Sequence, residues 1–260
     1  CSSDLLRTAR SEEFYEAPGR AKAAEVLRAH GIEGLVVIGG DGSFRGAEAL
    51  HREHGVKVVG IPATIDNDIA GTDVSIGFNT ALDVALDAVD RLRDTAASHD
   101  RLFLVEVMGR RAGHIALHVG VAGGAEAILV PEVPMPLERV VDLVRDADAR
   151  GKTSSIIVVA EGAYGGGARV VEQALRERAG YEVRTVILGH TQRGGSPVTR
   201  DRVLASRLGF HAVRALLAGD EAVMVGTDRR QITHVPLSSL PGLSKGIDEE
   251  LLEIAAVLAV

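Results

Sequence analysis

Two periodicities alternate along the chain. Short runs rich in β-branched residues and leucine occupy 35–38, 58–61, 102–107, 127–130, 156–159 and 183–188. Most are apolar almost without a break, the pattern of parallel strands covered on both faces. Between them lie Ala-, Leu- and Arg-rich segments with apolar residues at helical spacing, over about 20–30, 43–54, 78–97, 113–123, 136–150, 168–179 and 199–218. This strand–helix repetition predicts an α/β fold with parallel sheets covered by helices. Such sheets bind ligands at the carboxyl ends of their strands. The residues that follow each apolar run are therefore the candidates for chemistry.

Composition narrows the classes. The chain has 260 residues, 46% apolar and 25% charged, which excludes a disordered tail, a collagen-like repeat and a coiled coil. No apolar run reaches the roughly 18 residues of a membrane span. The formal net charge of −7 disfavours a dedicated nucleic-acid binder and leaves small anions open, because a few local arginines outweigh a weak global charge. Cys1 is the only cysteine, so a disulfide framework is excluded and a reducing compartment is expected. The chain opens on Cys1, with no signal-like stretch, and reads as an interior segment of a longer protein.

Each strand end carries functional side-chain types. Gly39-Gly40-Asp41-Gly42-Ser43 follows a strand and opens a helix. Glycines there let main-chain amides approach phosphate oxygens, and Asp41 fits if a divalent cation bridges it to them. An ordinary capped turn fits equally. Thr64-Ile65-Asp66-Asn67-Asp68 places two carboxylates two residues apart. If the segment stays extended, both project to one side. Phosphoryl transfer to an alcohol needs a base and a metal ion, which Asp66 and Asp68 could serve. A solvated Asx-type turn is the alternative. With Asp41 from a neighbouring strand end, three acids could converge on one metal–phosphate site. Met108-Gly109-Arg110 ends another strand, and an arginine there can neutralise a transferring phosphoryl group. Arg184 interrupts an otherwise apolar strand, and a buried arginine needs an anionic partner. His190 precedes Gln192-Arg193-Gly194-Gly195, a plausible phosphate or sugar contact.

Taken together, GGDGS, PATIDND, IGFNTAL, VEVMGRRAG, AEG and GHTQRGGSPVTRDR, in this order and spacing, resemble the phosphofructokinase family, in its short bacterial type, from about Leu6 to the C-terminus. The resemblance implies two Rossmann-like three-layer α/β domains with the active site in the cleft between them. Residues 1–76 with 191–240 would bind nucleotide, and 77–190 with 241–260 would bind the sugar phosphate. It implies phosphoryl transfer from MgATP to the 1-hydroxyl of fructose 6-phosphate, giving fructose 1,6-bisphosphate and ADP in glycolysis. By position, Asp66 resembles the base, and Thr64 and Arg110 surround the transferred phosphoryl. Arg10, Ser11, Gly40, Asp41, Gly42 and Ser43 match nucleotide contacts, with Asp41 and Asp68 at the Mg²⁺ ion. Thr64, Ile65, Asp66, Met108, Gly109, Arg110, Glu161, His190 and Arg193 match sugar-phosphate contacts. Arg101 and Arg184 resemble arginines that reach the 6-phosphate from a neighbouring subunit, hence a homotetramer with shared active sites. Arg93, Gly124, Glu126, Arg150 and Lys152 match a nucleotide or phosphoenolpyruvate effector site between subunits. A cytoplasmic protein is expected, with no nucleic-acid or membrane partner.

Departures from the family pattern set the alternatives. Members begin with a strand and a GGDAPG-type phosphate loop, and nothing of that kind precedes Leu6. A truncated chain follows, with an unpaired strand edge or exposed apolar face where the first strand would pair, and an inactive truncated homologue is one reading. Ser11 stands where members often carry an aromatic residue. Pyrophosphate-dependent members commonly carry Asp at the place of Gly42 and Lys at the place of Ala63. Both residues are small here, which favours ATP.

Overall fold

The computed structural model describes residues 11–96, 102–151 and 155–258. In chain order its main elements are α1 (Ala17–Ala29), β1 (Gly34–Gly39), α2 (Asp41–His54), β2 (Lys57–Thr64), β3 (Ile76–Gly77), α3 (Phe78–Ala96), β4 (Leu102–Val107), α4 (His114–Ala122), β5 (Ala127–Leu129), α5 (Leu137–Ala149), β6 (Ser155–Ala160), α6 (Ala168–Ala179), β7 (Val183–Ile187), α7 (Thr199–Ala218), β8 (Val223–Asp228), β9 (Gln231–Pro236) and α8 (Glu249–Leu258). The six apolar runs are strands and the seven periodic segments are helices. Three further strands (β3, β8, β9) and α8 were not signalled by either pattern.

The chain divides into two compact units. The first comprises Cys1–Thr64, Ile69–Gly77 and Thr199–Lys245, so far as these are described. Its sheet runs β1-β2-β8-β9, with β3 pairing the end of β2. β1, β2 and β8 are parallel, and β8 and β9 form an antiparallel hairpin. Among the described residues β1 is an edge strand, and Ile38 on it is exposed. Phe44 of α2 packs wholly buried beside β2, and it needs Gly60 there, because a Cβ at that position would meet the ring at 2.7 Å. Burying such a ring stabilises the unit by about 1.5–3 kcal/mol.

The second unit comprises Ile65–Asp68, Phe78–Val198 and Gly246–Val260, again within the described residues. Its all-parallel sheet runs β5-β6-β4-β7. Leu104, Leu129 and Ile157 from the strands meet Val171 and Leu175 of α6 in a closed core. The boundaries expected at 76, 190 and 240 fall at 77, 198 and 245, and Ile65–Asp68 joins the second unit. Residues 191–198 go with the second unit because the segment is tied to α3, where Thr80 Oγ1 accepts the Val198 amide. No helix among the described residues is long and apolar enough to cross a membrane.

Candidate active site

In the first unit, β1 ends at Gly39 and α2 begins two residues later. Gly39 has to be glycine, since a Cβ would collide with the Ser43 side chain. Gly40 is the extended N-cap, and its carbonyl accepts the amides of Ser43 and Phe44 at 2.9 and 3.1 Å. No side chain caps this helix start, which leaves its first-turn amides to other acceptors. A Cβ on Gly42 would meet nothing within 4 Å. Asp41 is exposed and pairs with Arg45 one turn on, at 2.9 Å. Thr64 closes β2, and its carbonyl accepts Ser75 Oγ at 2.7 Å. Ser11 is exposed.

In the second unit the chain bends at once. Asn67 adopts a left-handed conformation, φ 52°, which asparagine tolerates better than most residues. The extended geometry that would aim Asp66 and Asp68 to one side is therefore not formed. Instead Asp66 is 2% exposed, while Asp68 is half-buried. Arg110 Nε lies 3.4 Å from Asp66 Oδ2. Burial pushes the Asp66 carboxyl above the usual carboxylate range, and the charge of Asp68 adds to that. Arg110 and Arg193 pull it down, and Glu161 pushes it up.

Arg110 reaches Asp66 from an unusual turn. Gly109 has φ 142° and Arg110 φ 54°. Glu161 Oε1 accepts both amides, at 3.1 and 2.7 Å, and Gln192 Oε1 accepts that of Met108 at 2.8 Å. Gly162 admits the Arg110 carbonyl where a Cβ would collide with it. His190 and Arg193 are exposed on the 3-10 turn Gly189–Arg193 that follows β7. Ile65, half-buried, precedes Asp66. The second unit thus gathers Asp68, Arg110, Glu161 and Arg193 about the Asp66 carboxyl, with Met108 and Gly109 on the turn that carries Arg110. Glu161 and Gln192 as main-chain acceptors, and Arg45 as partner of Asp41, were not visible in the sequence.

The buried arginine expected at Arg184 is not found: among the described residues β7 pairs only with β4 and is an edge strand, so Arg184 is exposed and binds Glu182 in place of a buried anion. Of the expected effector residues, Arg93 donates to the carbonyls of Gly123 and Gly124, the latter at 2.8 Å. Glu126 accepts the Ile156 amide at the start of β6. Arg150 is the exposed C-cap of α5. Arg10, Arg101 and Lys152 lie outside the described residues.

Comparison with known proteins places this geometry. Residues 2–216 match the family described as Phosphofructokinase. The chain is 56% identical over 256 residues to "ATP-dependent 6-phosphofructokinase 1" of Thermus thermophilus, covering 98% of this chain and 80% of that protein. It is 52% identical over 255 residues to "ATP-dependent 6-phosphofructokinase" of Thermotoga neapolitana, covering 98% and 79%. Among solved structures, the phosphofructokinase from Saccharomyces cerevisiae superimposes with TM-score 0.87 at 35% identity, covering 98% of this chain and 39% of that one. A pyrophosphate-dependent phosphofructokinase from Marinobacter aquaeolei superimposes with TM-score 0.80 at 26% identity, covering 98% and 73%. With a family match over residues 2–216 and relatives at more than half identity, the chain belongs to the phosphofructokinase family.

Proposed function

We propose that the chain is an ATP-dependent 6-phosphofructokinase, which phosphorylates fructose 6-phosphate at its 1-hydroxyl and releases ADP. The observation that carries the reading is Asp66, a buried carboxylate with a guanidinium 3.4 Å away, in a strand-end segment. Asp66 takes the proton as the hydroxyl oxygen attacks the terminal phosphorus of ATP and the bond to the β-phosphate oxygen breaks. The raised affinity of Asp66 for a proton suits a base working near neutral pH. Arg110 stabilises charge on the transferring group, and Thr64 is the second residue assigned to that group. Met108, Gly109, Glu161, His190 and Arg193 hold the sugar phosphate, joined by Arg101 and Arg184 from a neighbouring subunit of a homotetramer.

The first unit binds nucleotide through the uncapped start of α2, at Gly40 to Ser43, with Arg10 as a further phosphate contact and Ser11 beside the nucleotide. No group of three or more metal-ligating side chains occurs among the described residues. Magnesium takes one or two carboxylates and completes its shell with phosphate oxygens and water. Asp41 and Asp68 are the residues that would hold it, and it would supply neutralisation of the nucleotide's phosphate charge. Arg93, Gly124, Glu126, Arg150 and Lys152 form the effector site.

The donor assignment has its own support. Open space surrounds Gly42, where a carboxylate would crowd and repel an α-phosphate. Turnover is therefore expected with ATP and not with pyrophosphate at saturating fructose 6-phosphate. Robust activity with pyrophosphate alone overturns the reading. Gly42→Asp with Ala63→Lys should weaken use of ATP.

A further inference from the structure

Gln192 is 1% exposed, although His190 and Arg193 on the same turn are exposed. A side-chain amide has two N–H donors and one carbonyl acceptor to satisfy. Here the carbonyl accepts the Met108 amide at 2.8 Å. That partner can only donate, so the orientation of the side-chain amide is fixed. Nε2 then has no hydrogen-bond partner among the described residues. A buried, half-satisfied amide is a poor choice for packing, since a methionine would fill the same space without an orphan donor. The Gln192 side chain is therefore explained by its one bond and not by its volume.

That bond sits where the sheet gives out. The β4–β6 ladder ends at Val107↔Ala160, and the β4–β7 ladder at Glu106↔Ile187. The next three amides, of Met108, Gly109 and Arg110, are all accepted by side chains, the first by Gln192 and the others by Glu161. They hold a turn with φ 142° and 54°, a conformation that persists only where surrounding bonds over-determine it. The turn delivers Arg110 to Asp66, and Gln192 joins it to the segment that carries Arg193, the other cation acting on that carboxyl.

We propose that Gln192 is a positioning residue for phosphoryl transfer, its side-chain carbonyl locking the Gly189–Arg193 turn to the Met108–Arg110 turn so that Arg110 and Arg193 keep fixed places about Asp66. This rests on the reading of Asp66 and Arg110 as the reacting centre.

The test compares Gln192→Met, Gln192→Glu and Asp66→Asn in the full-length enzyme, by steady-state kinetics and thermal melting. Gln192→Met loses the acceptor and also the orphan donor. It should lower kcat/KM for fructose 6-phosphate about 10- to 100-fold, as small misplacements at a reacting centre do. The KM for ATP should stay within about twofold and the melting temperature near that of the wild type, a split that a packing role would not produce. Gln192→Glu keeps an acceptor oxygen and should recover most of the loss, relative to the wild type at the same pH, toward the acid end of the assay range where a buried carboxyl is neutral, and less of it near neutral pH. Unchanged kinetics in Gln192→Met, equal rises in both KM values, or no recovery in Gln192→Glu overturns the proposal. If Gln192→Met does not fold, amide exchange in the wild type decides, with slow exchange at Met108 expected and fast exchange overturning it. Asp66→Asn separates the two readings. Normal turnover in that variant removes Asp66 as base, while Gln192 is still judged by fructose 6-phosphate affinity and Met108 exchange.

Discussion

Replacing Asp66 by asparagine should abolish most turnover and at the same time make the protein more stable. Asparagine keeps the size and the polar oxygen but cannot take a proton. Loss of a general base typically lowers rate by about 10²–10⁴-fold, or roughly 2.7–5.4 kcal/mol at 1.36 kcal/mol per tenfold. The stability change follows from burial. Asp66 is 2% exposed, and burial is the largest influence on its carboxyl, raising its pKa in the folded state. A group with a raised folded pKa contributes stability below its unfolded pKa and loses it as pH rises through the folded value. Near neutral pH the unfolded aspartate is charged, whereas in the folded protein burial disfavours that charge and Arg110 only partly offsets the penalty. The neutral amide removes that penalty. The melting temperature of Asp66→Asn should therefore exceed that of the wild type near neutral pH, and the gain should vanish below about pH 4, where an ordinary aspartate is protonated. The measurements are kcat and both KM values at saturating partner substrate, and melting curves across pH. Near-normal kcat would refute the base assignment. A lower melting temperature near neutral pH would refute the burial argument, whatever happens to the rate.

Three further outcomes are expected. Arg184→Ser should raise the KM for fructose 6-phosphate far more than that for ATP, because the exposed Arg184 is read as a sugar-phosphate contact given to a neighbouring subunit; equal effects in steady-state assays would contradict it. Gly162→Ala should cost at least about tenfold in kcat, because the added methyl collides with the Arg110 carbonyl and displaces the turn; full activity would show that the turn's placement does not matter. In full-length enzyme Lys152→Ala should blunt the response to ADP or phosphoenolpyruvate at sub-saturating fructose 6-phosphate, with little change in kcat; an unchanged effector titration would leave that basic residue no part in regulation.

The parallel strands were legible because burial on both faces writes itself as uninterrupted apolar runs. β8 and β9 were not. β8 breaks its run with Gly226 and Thr227, and β9, Gln231 to Pro236, is a short half-exposed antiparallel strand at an edge among the described residues, with only Ile232 and Val235 apolar before its closing proline. Position within a sheet is equally invisible locally. The apolar neighbours of Arg184 suggest a buried strand, yet among the described residues β7 lies at an edge. In the candidate site, residue type at strand ends singled out Asp66 and Arg110 only as ambiguous candidates, and their roles came from the resemblance of the surrounding motifs to a family. The bend at Asn67, the acceptor roles of Glu161 and Gln192, and the Asp41–Arg45 pair depend on side-chain geometry or on contacts up to 84 positions apart.

The order of strands in the first unit also sets a timetable for synthesis. β2 pairs with β8 through Val59↔Val223, a separation of 223 − 59, or 164, residues. At about 5–20 residues per second on the ribosome, β2 waits roughly 8–33 s for that partner. During the wait the hydrogen-bonding edge of a strand containing Val58, Val59 and Ile61 stands open, a template for wrong pairing between nascent chains. Most of the second unit, Phe78–Val198, emerges within the same interval and closes its own sheet without any later strand. Yield on expression should therefore respond more to translation speed and chaperone supply than the stability of the finished fold would suggest, and the aggregates that form should be held together by the first unit.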